Sequence, residues 1–542
     1  MNREEWRTLY RWLCLFDRAT IDQHPDLLLT EAWLMLVQRQ GMGNTAAFAA
    51  AAVYSGVGAP VSLGAAMLEL LQKLDAVLAR EQAAAQTEAA EVTLKRLGAE
   101  TAVLRCAWLY FSAAPAAIVP LASDALVLLP PACQTARSHA LFVLAAASQM
   151  RGGLAKAYAI CEDSPQLPLP DFAAYQARMG VNLCLIQWIA ADLPALLRTA
   201  RRTLALANEP DLPEAQAWAN YFIGGVFYHW NELDRAVERL EPLVENPHGV
   251  NGTVFANATC ALALAYQAQG RSADARAITA AAVDHLRAAD NLCLNLLEIF
   301  QVELALRQGK LGAATQWAAL HAAFGPLAPV MDFVAPQLVR PKILLAQTSA
   351  AARQEAVQLL FAARDYFAAI HNTRFLLETL ALLALAWWDE RDTAALGVLT
   401  EALQLAAPGG LVRVFVDLGP RLLRPLELLA ARNVTPAFIA QIVAALLREH
   451  PAAAAQSGAA APARQRSIPA DQSGLLGALT PREQEILALL AQRLTNKEIA
   501  QTLNISADTV KEHISNLLSK LAVGDRRAAV AKAAALGLLP PP

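Results

Sequence analysis

The sequence predicts an all-α protein: an array of stacked helical hairpins, then a linker, then a small four-helix domain. Three observations predict it. Apolar residues make up 56% of the chain but aromatic residues only 6%. The surplus is carried by Ala and Leu, the best apolar helix formers. A short pattern recurs about every 39 residues through the middle of the chain. Helix-start signals then crowd the stretch 478–542.

At 542 residues the chain is too long for one compact unit, since a domain typically takes about 100–200. An all-β chain would need Val, Ile, Thr and aromatics instead. Whole-chain disorder would need few apolar residues and high net charge. The net charge is −3, from 45 basic and 48 acidic residues. That excludes a globally basic nucleic-acid binder, but not a small basic module inside an acidic chain. The seven cysteines (Cys14, Cys106, Cys133, Cys161, Cys184, Cys260, Cys293) are widely scattered, with no Cys-x-x-Cys. Such a set reads as reduced, buried thiols in a cytoplasmic protein.

The opening Met-Asn-Arg-Glu-Glu-Trp is charged and does not read as a signal peptide. Two stretches lack charge, 40–68 and 106–123. The first carries five glycines and Pro60, and the second carries Pro115 and Pro120. Neither is a continuous run of about 20 strongly apolar residues, so no membrane span is expected.

The repeat is anchored on five segments: Gly152-Gly153-Leu154, Ala191-Asp192-Leu193, Asn231-Glu232-Leu233, Gly270-Arg271-Ser272 and Gly309-Lys310-Leu311. Their first residues lie 39, 40, 39 and 39 apart. Each opens on a small or turn-forming residue, and in four of five Ala follows five residues on (Ala157, Ala236, Ala275, Ala314). One helix ends at the turn, where Gly or Asn takes the left-handed cap. The next packs its small Ala where two backbones approach. A unit this small cannot bury its own face, so several must stack. Fainter echoes extend outward, to Ala351 and Glu390 downstream and to Gln40-Gly41 after the helical stretch 27–39.

In this register one face of each first helix lines a concave groove. Trp218, Tyr221, Tyr228 and His229 fall there, with Trp188, Gln267, Glu303 and Arg307 from neighbouring repeats. Aromatics with a few polar groups suit a ligand. Aromatics at this spacing also fill a solenoid core, and both readings stand. The ligand-groove candidates are Trp188, Trp218, Tyr221, Tyr228 and His229.

Residues 1–450 are assigned to the array. Residues 451–477, rich in Pro, Gly, Ser and Ala, read as a flexible linker. In 478–542, Thr480-Pro481-Arg482-Glu483 and Thr495-Asn496-Lys497-Glu498 are capping boxes. Ile486, Leu487, Leu489 and Leu490 give the first helix a buried stripe. Ile499, Ala500 and Leu503 do so for the second. Asn504-Ile505-Ser506 turns the chain, and Ser506 caps a third helix whose buried face is Val510, Ile514, Leu517, Leu518 and Leu521. Asp525 caps a fourth. A short helix, a turn of about three residues and a longer helix make a helix-turn-helix. The exposed side of the longer helix carries Thr509, Lys511, Glu512, Ser515, Asn516, Ser519 and Lys520, residues suited to phosphates and base edges. This stretch carries a net charge of +2, which leaves −5 for the rest.

Two resemblances follow from these residues. The repeats resemble tetratricopeptide repeats, lengthened from about 34 residues. The last domain resembles the LuxR-type DNA-binding domain of bacterial transcription regulators. The residues that carry this are Leu479-Thr480-x-Arg482-Glu483-x-Glu485, Asn496-Lys497-Glu498-Ile499-Ala500, Ser506-x-x-Thr509-Val510-Lys511-x-His513-Ile514, Lys520-Leu521, Asp525-Arg526 and Gly537-Leu538-Leu539. Arg493 departs from the family's usual Gly, at a cost of roughly 1 kcal/mol in a left-handed cap. The resemblance implies that 506–521 enters the major groove and that 526–536 supports a homodimer on DNA. It makes Lys511 and Ser515 base-proximal. Lys497, Thr509, Asn516 and Lys520 would hold phosphates. His513 would touch DNA or pack at the helix edge.

Upstream, Leu9-Tyr10-Arg11-Trp12-Leu13, His24-Pro25-Asp26-Leu27-Leu28-Leu29 and Ala32-Trp33 resemble the opening of the helical sensor region of MalT-like large regulators. Pro408-Gly409-Gly410-x-Val412-Arg413-x-Phe415-Val416-Asp417-x-Gly419 resembles its close. That family normally places an ATPase domain before this region. The sequence contains no Gly-x-x-x-x-Gly-Lys-Ser/Thr, so ATP-driven assembly does not carry over. A natural short form, one product of a split gene and a fragment all fit.

No Gly-x-Ser-x-Gly or His-Glu-x-x-His occurs. No enzyme, cofactor or metal site is expected. The expected protein is a cytoplasmic regulator with a tetratricopeptide-like α-solenoid, a linker and a four-helix LuxR-type helix-turn-helix. Its expected partners are double-stranded promoter DNA, RNA polymerase and a small-molecule or protein effector at the groove. The alternative is an interaction scaffold, or half of a split regulator acting through a separate ATPase.

Overall fold

The computed structural model describes residues 6–38, 60–111, 115–162, 172–208, 212–320 (except 290 and 292), 332–389 (except 348) and 394–451. Within 486–530 it describes 486, 487, 489–491, 494–503, 510, 511, 514, 517, 518, 523, 525, 526 and 528–530. The chain divides into two compact units, Met1–Ala453 and Ala454–Pro542. Elements among the described residues are helical, with no strand.

The first unit opens with a small helical cluster of its own. Helices Trp6–Leu13, Arg18–Gln23, Pro25–Gln38, Pro60–Ala84 and Glu88–Phe111 pack Leu28, Trp33, Leu71, Leu74 and Leu104 into a common core. Asp17 starts the second helix by accepting from the Thr20 amide at 2.7 Å. Two buried carboxylates are neutralised at once: Glu31 by Arg18 at 2.7 Å and Glu100 by Arg96 at 2.6 Å. The expected helix over 27–39 is found as Pro25–Gln38, and Arg39 lies outside the described residues. Gln40-Gly41 lies outside the described residues.

All five predicted turns take the left-handed conformation. The φ values are 80° at Gly152, 62° at Ala191, 62° at Asn231, 79° at Gly270 and 76° at Gly309. After each, the next amide reaches back five residues to a carbonyl: Gly153 to Ser148 at 2.8 Å, Asp192 to Gln187 at 3.0 Å, Glu232 to Phe227 at 2.8 Å, Arg271 to Tyr266 at 2.8 Å and Lys310 to Ala305 at 2.9 Å. This pattern satisfies the carbonyls that a helix end leaves open. The residue five after each turn start is buried: Ala157, Leu196, Ala236, Ala275 and Ala314. Four of the five are the small Ala expected there, and Leu196 takes the fifth place.

The downstream echo differs. Ala351 lies inside the helix Ala350–Ala369, and Glu390 lies outside the described residues. The next left-handed turns are His371 (φ 52°) and Gly410 (φ 69°). The alternation itself continues, the inner helix Pro336–Ala346 being followed by the outer Ala350–Ala369. Earlier turns join an inner helix to an outer one, whereas His371 joins the outer helix Ala350–Ala369 to the inner Thr373–Asp389.

The inner helices are Phe172–Ile189, Pro213–His229, Gly252–Ala268, Leu294–Arg307, Pro336–Ala346 and Thr373–Asp389. Each packs on the next, and Thr373–Asp389 packs back on Phe172–Ile189, which Gln134–Gln149 precedes in the same row. The row therefore closes. The seam is made by turns meeting turns. Gln149 Nε2 donates to the His371 carbonyl at 2.7 Å, and Trp230 Nε1 donates to the Gly409 carbonyl at 2.9 Å. Gly409 sits so close to the backbone that a Cβ there would lie 2.3 Å from the Ala191 carbonyl oxygen.

Among the described residues no helix is long and apolar enough to cross a membrane. Cys106, Cys161, Cys184 and Cys260 are buried thiols, Cys133 and Cys293 are partly buried, and Cys14 is exposed. Burial pushes the Cys106 and Cys161 thiols up to about 12. Cys14 departs from the expectation of buried thiols because it follows the short helix Trp6–Leu13 at the rim of the opening cluster.

In the second unit Ile486, Leu487, Leu490, Ile499, Ala500, Val510, Leu517 and Ala529 form the core. Leu489, Ile514 and Leu518 are partly buried against it. The helix Asn496–Leu503 starts at the predicted capping box. The Thr495 amide and hydroxyl both donate to Glu498 Oε2 at 2.7 Å, and the Glu498 amide donates back to Thr495 Oγ1 at 3.3 Å. Asp525 accepts from the Ala528 amide at 2.9 Å, the predicted cap of the fourth helix. The linker beyond Pro451, the first capping box at 480–483, the Ser506 cap and Arg493 lie outside the described residues.

Candidate functional sites in the two units

Closing the inner row changes what its aromatic residues face. Trp188, Tyr221 and Tyr228 are fully buried, His229 nearly so, and Trp218 partly buried. Phe333, which precedes the helix Pro336–Ala346, enters among them. It stacks on His229 at 5.6 Å and meets Tyr228 edge-on at 5.3 Å and Trp188 at 5.8 Å. Trp218 stacks on Phe222 at 5.6 Å, at the edge of the cluster. Gln267 is partly buried and accepts from Gln308 at 2.8 Å, outside this group.

Arg374 caps the cluster from the closing helix. Its Cζ lies 4.1 Å from the Trp188 ring centre and 4.4 Å from that of Phe375. It donates to the carbonyls of Asp332, at 3.1 Å, and Phe333. Burial pulls the guanidinium down to about 10. Several polar atoms here have no hydrogen-bond partner among the described residues: Trp188 Nε1, Tyr221 Oη, both His229 ring nitrogens and Arg374 Nε. Each such atom costs about 1–3 kcal/mol when buried, so their grouping at one place is a feature in its own right. Burial, with the Arg374 charge acting in the same direction, pushes His229 down to about 3 and keeps it neutral.

Beside the aromatics runs a chain of alternating charges. Glu378 pairs with Lys342 at 2.7 Å, Lys342 with Glu303 at 2.7 Å, and Glu303 with Arg307 at 2.9 Å. Arg307 reaches Asp417 at 3.2 Å. Asp417 pairs with Arg413, and Arg413 with Glu449. The chain thus runs from the closing helix, through the inner row, to the last helix of the unit, Pro436–Glu449. Burial opposes each charge. Arg413 and Arg307 nevertheless hold Asp417 down at about 2, and Lys342 and Arg307 hold Glu303 below the ordinary carboxylate range. Glu449, paired with Arg413, is nevertheless pushed up by burial. Glu303 and Arg307 were expected on this face. Lys342, Arg374, Glu378, Arg413 and Asp417 were not singled out as site residues. The signal for three of them was a charge between apolar or uncharged neighbours inside a mostly apolar helix, as in Pro341-Lys342-Ile343, Thr373-Arg374-Phe375 and Leu377-Glu378-Thr379.

In the second unit Lys497 and Lys511 are exposed, and Lys511 directly follows the fully buried Val510. Arg526 ties the fourth helix to the end of the first by donating to the Leu494 carbonyl at 2.9 Å. Thr509, Ser515, Asn516 and Lys520 lie outside the described residues.

Comparison with known proteins places both units. The family described as MalT-like TPR region matches residues 99–432. The family described as bacterial regulatory proteins, luxR family, matches 477–533. The transcriptional regulatory protein LnrK of Bacillus subtilis (strain 168) is 60% identical over 48 residues, 9% of this chain and 22% of LnrK. The response regulator protein VraR of Staphylococcus aureus (strain Mu3 / ATCC 700698) is 56% identical over 52 residues, 10% of this chain and 25% of VraR. The chain thus spans about a quarter of the length of the curated relatives it matches. A crystal structure of a Rap protein complexed with competence and sporulation factor overlaps 80% of this chain and 99% of its own, at 11% identity and a TM-score of 0.37. From the five matched turns to the capped helix before Lys511, the chain belongs to the MalT-like tetratricopeptide-region family and carries a LuxR-type DNA-binding domain.

Proposed function

We propose that this protein is a cytoplasmic transcription regulator. Its helical-repeat region senses a small-molecule or protein effector, and its C-terminal helix-turn-helix binds promoter DNA. The observation that carries the reading is the luxR-family match over 477–533. It is supported by the capped 496–503 helix and by exposed Lys497 and Lys511 beside a compact core. Lys511 and Ser515 contact base edges in this reading, while Lys497, Thr509, Asn516 and Lys520 hold phosphates. A second copy on paired half-sites and RNA polymerase are the partners.

The sensing part rests on the aromatic interior. Trp188, Tyr221, His229 and Arg374 present unpartnered polar atoms to an effector that parts the closing helix from the first inner helix. Trp218, Tyr221 and Tyr228 supply apolar surface. Genome-wide mapping of bound DNA, with the repeat region present and deleted, tests both halves. The regulator reading expects discrete promoter sites that shift or vanish on deletion. Uniform occupancy along the genome overturns it, and identical maps overturn the sensing half.

A further inference from the structure

The first unit has a concavity on the outer side of the hairpins. It lies between the outer helices Leu193–Asn208 and Leu233–Glu245 and has a volume of about 360 Å³. Cavities of about 300–1,000 Å³ are the usual size for small-molecule sites. Leu204 and two residues of the inner helix beneath, Ile223 and Phe227, form an apolar floor. The rim is basic, with Arg201 from one helix, Arg235 and Arg239 from the other, and Glu238 as the rim carboxylate. Small Ala205 faces the space; a longer side chain there would fill it.

The three guanidiniums are unevenly engaged. Arg235 lies flat over Phe227, Cζ 3.8 Å from the ring centre, and pairs with Glu232. Among the described residues Arg239 reaches only Asn220, at 3.4 Å. Arg201 makes no hydrogen bond or ion pair among the described residues. A guanidinium fork matches a carboxylate or phosphate bidentately, and the floor offers apolar contact beside that fork. We infer that this groove binds a small organic oxyanion, a carboxylate or phosphate carried on an apolar body. The site is separate from the aromatic interior, and its binding is read without DNA, so its failure leaves the regulator reading untouched.

Calorimetric titration of the full chain with benzoate, phenyl phosphate, inorganic phosphate and benzylamine tests this. Benzoate or phenyl phosphate binds, and the tighter of the two names the headgroup. Inorganic phosphate binds more weakly, and benzylamine does not bind. Arg201→Ala weakens binding roughly tenfold, the loss of one charge-assisted hydrogen bond. Ala205→Leu also weakens it by filling the groove without changing charge. Arg202→Ala, exposed on the same helix but outside the groove, leaves it unchanged. The inference is overturned if neither aryl oxyanion binds, if benzylamine binds as well as they do, if Arg202→Ala weakens binding as much as Arg201→Ala, or if Ala205→Leu has no effect. Unchanged thermal unfolding of each variant shows that a lost signal is lost binding.

Discussion

The Tyr228 hydroxyl donates to the Asp417 carboxylate at 2.6 Å, although 189 residues separate them in sequence. Tyr228 ends an inner helix of the early repeats, and Asp417 follows the short helix Val412–Val416 near the end of the unit. A buried hydrogen bond to a charged group contributes about 1.5–3 kcal/mol, and Tyr228→Phe is expected to lose that much in chemical denaturation. Asp417→Asn leaves Arg413 and Arg307 facing a neutral group and is expected to lose more, about 3–5 kcal/mol. Losses no larger than those of exposed substitutions would mean that the row does not close in solution.

Gly409 tests the seam by sterics alone. Its added Cβ would meet the Ala191 carbonyl at 2.3 Å, a backbone atom that cannot rotate away. Gly409→Ala is expected to destabilise by about 1–3 kcal/mol through overpacking. Gly397, inside the helix Ala394–Ala406, has nothing within 4 Å of the same added atom. There Gly→Ala is expected to stabilise by up to about 1 kcal/mol from helix propensity. Paired melting curves of the two variants should move in opposite directions.

Stability should fall in mild acid. An unfolded histidine takes up a proton below about pH 6.5. Folded His229 resists until about 3 and His139 until about 4, chiefly through burial. Stability is therefore complete above the unfolded value and lost as pH drops toward the folded ones. At pH 5 each buried histidine accounts for about 2 kcal/mol of loss. His229→Phe should flatten the curve between pH 6.5 and 4, whatever its effect at neutral pH. An unchanged slope would show that His229 is not held neutral.

DNA affinity should depend steeply on salt, because each neutralised phosphate releases counterions. Lys511→Ala is expected to cost about 1–3 kcal/mol if the side chain reads a base, and to relax preference at one position. Lys497→Ala should instead weaken all sequences alike and lower the salt slope by about one. Fluorescence-anisotropy titrations across a salt series separate the two. A flat salt response would remove DNA from the function.

The turns were legible because their chemistry is local. A left-handed cap favours Gly or Asn, and the following Ala suits close backbones, so Asn231, Gly270 and Ala275 declare themselves. The capping box at Thr495 and Glu498 is legible for the same reason. His371 was missed because it is neither Gly nor Asn and sits in the opposite phase of the hairpin. Ring closure was not legible either. It accumulates from a small rotation per repeat that no single residue encodes. The aromatics of the 213–229 helix were therefore read either as lining a groove or as filling the core, and Phe333 and Arg374 cover them. Lys342 and Glu378 were not singled out, because their pairing depends on that same accumulated rotation.

An open helical array tolerates the gain or loss of a hairpin, because each unit touches only its neighbours. The row described here does not have that freedom. Duplicating one hairpin would carry Asp417 past Tyr228 and strand Gly409 away from Ala191. Deleting one would drive them into each other. The seam therefore fixes the number of repeats, and change in this lineage should accumulate as substitutions and loop insertions rather than as added or lost units.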